Sequence, residues 1–116
     1  MNEVTIWHNP RCSKSRAALA LLQERGATPR VRRYLDDPPT MAELRAARGL
    51  LRVPAAEMFR ADEPEARAMG LTGTEDDETL IAAMAAVPKL IERPVVLAGG
   101  RAALGRPPER VLEILE

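Results

Sequence analysis

Apolar runs and amphipathic stretches alternate along the chain, and their spacing predicts its secondary structure. The first apolar run predicts a strand over residues 3–8. The stretch from Ser13 to Arg25 has helical spacing, with Ser13 as the expected N-cap and Gly26 as the residue that ends the helix. A second strand is predicted from Val31 to Leu35, parallel to the first because a helix connects the two. The chain is therefore predicted to begin with a β-α-β unit.

The middle of the chain is predicted to be helical. Thr40 and Glu43 form a capping box that starts a helix, and this helix is expected to run to about residue 48 and stop at Gly49. Residues 53–71 are expected to form short helical pieces, because prolines and a glycine interrupt them. A longer helix is predicted from about Asp76 to Val87, with acidic residues in its first turn where the helix dipole favours them.

The C-terminal part returns to strand patterns. Strands are predicted from Pro94 to Leu97 and from Arg101 to Leu104, joined by a glycine-rich hairpin, and Pro107 is expected to start a last helix. The order β-α-β, helical middle, β-β-α is that of an α/β, thioredoxin-like fold with a small mixed sheet. We expect one domain over residues 1–116, with a helical insertion at about 40–90.

Composition restricts the class of protein. An apolar content of 46% with 29% charged residues is typical of a globular protein, and no apolar run is long enough to cross a membrane. The net charge is zero and aromatic residues are only 3%, which argues against a nucleic-acid surface. The chain has one cysteine and one histidine, so we expect no bound metal and no internal disulfide. With no leader-like start, these features predict a cytoplasmic protein.

The single cysteine, Cys12, is the strongest candidate for chemistry. A lone cysteine is most often inert packing. Cys12, however, follows a predicted strand and precedes a predicted helix, and Arg11, Lys14 and Arg16 are its neighbours in sequence. A helix N-terminus and nearby cations stabilise an anion, so this position favours the reactive thiolate. Since the chain has no second cysteine, a reduction that begins at the Cys12 thiol must be completed by an external thiol.

Four segments of the chain resemble the glutaredoxin-coupled arsenate reductases. They are T-I-W-H-N-P-R-C-S-K-S-R, R-Y-L-D-D-P-P-T, E-R-P-V-V and G-R-P-P-E-R-V-L-E-I-L, and they follow one another in the family's order. The resemblance implies that Cys12 attacks arsenate and that glutathione and then glutaredoxin resolve the adduct. Glutathione would be a co-substrate, and no cofactor would be bound.

The resemblance also implies the roles of other residues. Arg60, Arg93 and Arg106 would bind the oxyanion, with Arg11 and Arg101 as competitors for these roles. His8 would help to keep the thiol of Cys12 ionised. Pro94 would form a cis bond beside the thiol, and Pro94 and Ser15 would shape the site.

Two other functions stay open at the level of sequence. Ser15 stands where a C-x-x-C motif has its second cysteine, which argues against an autonomous dithiol oxidoreductase and against the C-x-x-C regulators that share this scaffold. A glutathione-linked thiol reductase with another substrate is one alternative. A non-enzymatic regulatory module on the same scaffold is the other, although such a module has little need of an arginine set that binds oxyanions.

Overall fold

The computed structural model describes residues 3–115 and divides them into two compact units. The first unit runs to Asp37 and resumes at Arg93, and the second is Pro38–Glu92. Within residues 3–115, no helix is both long enough and apolar enough to span a bilayer.

A four-stranded mixed sheet forms the centre of the first unit. Its strands are β1 (Val4–Trp7), β2 (Arg30–Arg32), β3 (Val95–Ala98) and β4 (Arg101–Leu104), in the order β2-β1-β3-β4. Strand β2 is parallel to β1, whereas β3 is antiparallel to both of its neighbours. The predicted parallel pair, the mixed sheet and the thioredoxin-like order of elements are confirmed.

The second strand is shorter than predicted and is shifted toward the N-terminus. It was expected over Val31–Leu35 but ends at Arg32. The chain turns after this point, because the amides of Asp36 and Asp37 both donate to the carbonyl oxygen of Arg33, at 3.0 and 2.9 Å. This turn takes residues 33–35 out of the sheet.

The predicted hairpin between β3 and β4 is confirmed. Ala98 pairs with Arg101, which leaves Gly99 and Gly100 as a two-residue turn. Gly99 has a φ of 59°, a left-handed conformation that glycine adopts readily.

Helix α1 (Ser13–Glu24) follows β1 after a short turn. The prediction of Ser13 as N-cap is wrong by one residue. Cys12 is the N-cap, with extended backbone angles, and Ser13 is the first helical residue. The predicted end is confirmed, since Gly26 has a φ of +83° just after the helix.

The last element is a 3-10 helix, Pro108–Leu115, where an α-helix starting at Pro107 was expected. Val111 and Ile114 are three residues apart, so three residues per turn place both on one buried face. The core of the first unit joins this face to α1 and the sheet through Val4, Ile6, Ala18, Leu22, Ala27, Val96, Ala98, Ala103, Val111 and Ile114.

The second unit begins with α2 (Met41–Leu51), which starts at the predicted capping box. The amide of Glu43 donates to Thr40 Oγ1 at 3.1 Å, and the Thr40 amide donates to Glu43 Oε1 at 2.9 Å. The predicted stop at Gly49 is wrong, because one glycine weakens a helix by only about 1 kcal/mol and does not by itself end it. The helix instead ends at Arg52, which is left-handed with a φ of 59°.

The rest of the second unit confirms the predicted short helical pieces. They are a 3-10 helix (Ala55–Glu57) and α3 (Pro64–Ala68). The predicted longer helix is α4 (Asp77–Ala86), and a 3-10 turn (Pro88–Leu90) follows it.

Candidate active site at the edge of the sheet

The strand register brings four chain segments to one edge of the sheet. Trp7, the last residue of β1, pairs with Val95 at the start of β3 and with Arg32 at the end of β2. Val95 also pairs with Leu104, the last residue of β4. The segments that follow β1, β2 and β4 therefore lie at the same edge as the segment that precedes β3.

These segments carry most of the predicted site. Cys12 follows β1, Arg93 and Pro94 precede β3, and Arg106 follows β4. Arg101, one of the predicted competitors, lies at the opposite end of β4, beside the hairpin turn. A strand of four residues is about 13 Å long, so this register separates Arg101 from the edge where Cys12 lies.

Cys12 is positioned by a tight turn and by the start of α1. Its amide donates to the carbonyl oxygen of Asn9 at 3.0 Å, and its own carbonyl oxygen accepts from the amide of Arg16 at 3.0 Å. The thiol is half-buried and is not part of a disulfide. Its Sγ forms no hydrogen bond with any of residues 3–115, so it can react with an incoming group without first losing a partner.

Ser15 joins the end of β1 to the first turn of α1. Its side chain is fully buried, and its Oγ lies 2.7 Å from His8 Nδ1. The same Oγ accepts from the amide of Asn9 at 3.0 Å. Sequence reasoning placed Ser15 at the site as the residue that replaces a second cysteine, and the structure adds these two hydrogen bonds.

His8 is buried immediately after β1, with 7% of its surface exposed. Burial lowers the pKa of His8 below its ordinary value of 6.5, and the positive charges of Arg33 and Arg16 lower it further. The imidazole is therefore held neutral at pH 7. Its Nδ1 contacts Ser15, and across the described residues it forms no hydrogen bond with Cys12, so its predicted effect on the thiol stays a prediction.

The predicted Arg93–Pro94 cis bond is present. Arg106 Nη1 donates to the carbonyl oxygen of Arg93 at 3.1 Å, which joins two of the predicted oxyanion-binding arginines. The amide of Gly105 donates to the carbonyl oxygen of Pro94 at 2.9 Å. A Cβ atom on Gly105 would lie 2.6 Å from Pro94 Cγ, so this close approach requires glycine.

Arg60, the third predicted arginine, belongs to the second unit. Its Nη1 lies 2.7 Å from Glu63 Oε1 and its Nε lies 3.8 Å from Glu92 Oε1. Its side chain is 17% exposed. The role of Arg60 in oxyanion binding stays a prediction from the resemblance.

A pocket of about 260 Å³ adjoins the Cys12 turn. Its lining is His8, Asn9, Pro10, Arg11, Arg33, Leu35 and Asp36. Sequence reasoning missed Arg33 and Asp36. The available signal for Asp36 was its position directly after the predicted strand Val31–Leu35, since the ends of parallel strands meet at one edge. Arg33 lies inside that predicted strand, so this signal did not extend to it. Among residues 3–115, no group of three or more His, Cys, Asp or Glu side chains is placed to hold a metal ion.

Comparison with known proteins agrees with this architecture. Residues 7–114 match the model of the ArsC family. The arsenate reductase of Neisseria meningitidis serogroup A is 46% identical over 99% of this chain and 100% of its own length. The uncharacterized protein YfgD of Escherichia coli K12 is 47% identical over 97% of each chain.

Comparison with a solved structure also indicates similarity to an arsenate reductase. The arsenate reductase from Vibrio cholerae superposes with a TM-score of 0.92 at 45% identity, covering 97% of this chain and 98% of its own. The match extends over both compact units and includes the segments that meet at the edge of the sheet. The chain is therefore a member of the ArsC family.

Proposed function

We propose that this protein reduces arsenate to arsenite through a covalent adduct on Cys12. The observation that carries the proposal is the position of Cys12 at the N-terminus of α1, at the edge of the sheet that also carries Arg93 and Arg106. The names of the Neisseria and Vibrio relatives support the choice of arsenate as the oxyanion.

The positive charges at this edge of the sheet would reduce the repulsion between a thiolate and the anion that it attacks. Arsenate is negatively charged at pH 7, so an approaching thiolate is repelled unless cations lie close by. The guanidinium groups of Arg93 and Arg106 would supply planar, charge-assisted hydrogen bonds to arsenate oxygens. Backbone amides at the start of α1 would stabilise the same negative charge.

The reaction balances with one protein thiol and one external thiol. Cys12 Sγ displaces an arsenate oxygen, which leaves as water, and an S–As(V) bond forms. The incoming thiol then forms an S–S bond with Cys12 Sγ, and the S–As bond breaks with its electron pair remaining on arsenic. The two sulfur atoms are oxidised to a disulfide, arsenic is reduced from As(V) to As(III), and arsenite leaves.

The second thiol is proposed to be glutathione, with glutaredoxin reducing the resulting mixed disulfide. This part rests on the family resemblance and on the single cysteine of the chain. A reducing cytoplasm would supply both reductants, and we propose that the protein acts there.

The test measures arsenite formed from arsenate in the presence of glutathione and glutaredoxin. We expect turnover by the wild-type protein and none by Cys12→Ser, which keeps the size of the side chain but removes the nucleophile. Ser13→Ala is the matched control, since Ser13 is exposed and is the next residue along the chain. Absence of arsenite with a competent coupling system would overturn the proposal, and reduction of glutathione mixed disulfides under those conditions would favour the thiol-reductase alternative.

A further inference from the structure

Every backbone amide hydrogen of the turn that presents Cys12 has a partner within the protein. The amide of Cys12 donates to the carbonyl oxygen of Asn9, and the amide of Arg11 donates to Asn9 Oδ1, both at 3.0 Å. The amide of Asn9 donates to the buried Ser15 Oγ at 3.0 Å. Pro10 has no amide hydrogen, and proline favours this second position of a β-turn. The donors of the turn are therefore fully used, and the open question is what holds its acceptors.

The carbonyl oxygen of Pro10 is held from outside the turn by Arg16. Arg16 Nη1 donates to this oxygen at 2.9 Å. The backbone amide of Arg16 donates to the carbonyl oxygen of Cys12 at 3.0 Å, as part of the first turn of α1. One residue of α1 therefore holds the chain at Cys12 and again two residues before it.

The start of α1 needs such a contact because its N-cap is a cysteine. An N-cap side-chain oxygen commonly accepts a hydrogen bond from the first turn of the helix and so fixes the junction. Cys12 has extended backbone angles, with φ −95° and ψ 122°, and its side chain makes no capping hydrogen bond. The hydrogen bonds of Ser15 Oγ and of Arg16 Nη1 to the preceding turn take the place of a cap. They join the turn to α1 while the thiol of Cys12 remains available for reaction.

Arg16 also brings a positive charge to this position. Its guanidinium forms no ion pair with any carboxylate of residues 3–115. Burial contributes most to the lowered pKa of His8, and the charges of Arg33 and Arg16 lower it further. The charge of Arg16 therefore acts on the neighbourhood of Cys12, and a test of its hydrogen bond must separate the two effects.

We propose that Arg16 is a positioning residue for Cys12, and that its hydrogen bond to Pro10 fixes the direction in which Cys12 Sγ meets the reacting atoms. The inference rests on the proposed function for the reaction in which Cys12 takes part. Attack on arsenic and attack by the second thiol both need atoms that are close and aligned. Loss of this alignment lowers the rate of reaction without weakening the binding of the substrate.

Steady-state kinetics with arsenate, glutathione and glutaredoxin test this role. We expect Arg16→Ala to lower kcat about tenfold, while KM for arsenate stays within about twofold of the wild-type value. Arg25→Ala is the matched control, and it should keep the wild-type kcat. Arg25 is an exposed arginine at the other end of α1, and its side chain forms no hydrogen bond with any of residues 3–115.

Amide hydrogen exchange, followed by NMR, tests the hold on the turn without turnover. The hydrogen bonds of the turn protect the amides of Arg11 and Cys12. In Arg16→Ala we expect both amides to exchange about tenfold faster, because the turn opens more readily, whereas Arg25→Ala should exchange at the wild-type rate. If the wild-type protein forms no arsenite but this change in exchange appears, the proposed function fails and the hold of Arg16 on the turn stands.

Three results would overturn the inference. The first is unchanged exchange in Arg16→Ala even if kcat falls, because loss of the charge alone would then explain the slower reaction. The second is an unchanged kcat in this variant. The third is a rise in KM for arsenate that accounts for the whole loss of kcat/KM, which would indicate that Arg16 binds the substrate. Because Arg16 is exposed, Arg16→Ala is expected to unfold close to the wild-type denaturant concentration, so these effects can be measured on folded protein.

Discussion

Replacing Ser15 by alanine removes the hydroxyl that joins the end of β1 to α1. The change leaves the backbone of α1 intact but removes the partner of His8 Nδ1, at 2.7 Å, and of the Asn9 amide, at 3.0 Å. Leaving a buried polar group unsatisfied costs about 1–3 kcal/mol. Asn9 is only partly buried and can recover water, so the expected total loss is about 2–4 kcal/mol. This is a large fraction of the 5–15 kcal/mol by which domains are usually stable.

Urea unfolding at pH 7.5 measures this loss as the change in the free energy of unfolding. Ser13→Ala is the control, since Ser13 is exposed, and its effect is expected to stay within about 0.5 kcal/mol. Near-equal stabilities of Ser15→Ala and Ser13→Ala would refute the reasoning, because they would mean that the hydrogen bonds of Ser15 contribute no net stability. The same preparations can be tested for turnover, where displacement of His8 and Asn9 is expected to lower kcat for Ser15→Ala but not for Ser13→Ala.

Two further predictions concern the same edge of the sheet. Gly105→Ala is expected to lower the free energy of unfolding by about 1–3 kcal/mol, because its Cβ would lie 2.6 Å from Pro94 Cγ. Gly49→Ala, inside α2 with no atom within 4 Å of the new Cβ, should instead raise it by about 1 kcal/mol, and a loss of stability in both variants would contradict the packing argument. For His8, the folded-state pKa is lowered, so the unfolded chain takes up the proton first as pH falls through 6.5. The free energy of unfolding should therefore fall more steeply in the wild-type protein than in His8→Gln as the pH decreases below about 6.5. An equal dependence on pH in the two proteins would contradict this role of His8.

The sequence was sufficient for most of the fold, because its local signals agree with the tertiary structure. The capping box at Thr40 and the left-handed Gly26 act through nearest neighbours, so they are visible without the fold. The expected stop at Gly49 was wrong because helix ends depend on the whole last turn, and the left-handed residue that ends α2 is Arg52 instead. The length of β2 was wrong because the turn begins at Arg33, inside the predicted strand, although Asp36-Asp37-Pro38-Pro39 indicated a turn just after it.

The site was predicted less completely than the fold. The resemblance pointed to Arg93 and Arg106, and the strand register brings both to the edge of the sheet where Cys12 lies. Nothing in the sequence indicated that Arg60 is paired with two carboxylates, because ion pairs between side chains depend on rotamers and tertiary contacts. Arg33 was hidden in the same way, since its relation to His8 follows from the pairing of β1 with β2.

The most direct test of the proposed chemistry is the mass of the intact protein after reaction with arsenate and glutathione in the absence of glutaredoxin. We expect the wild-type protein to gain the mass of one glutathionyl group, located at Cys12 by peptide mapping, with one arsenite released for each group gained. Without arsenate, or in Cys12→Ser, no such gain should occur. A wild-type protein that forms arsenite while its Cys12 stays unmodified, or that is glutathionylated equally well without arsenate, would contradict the mechanism.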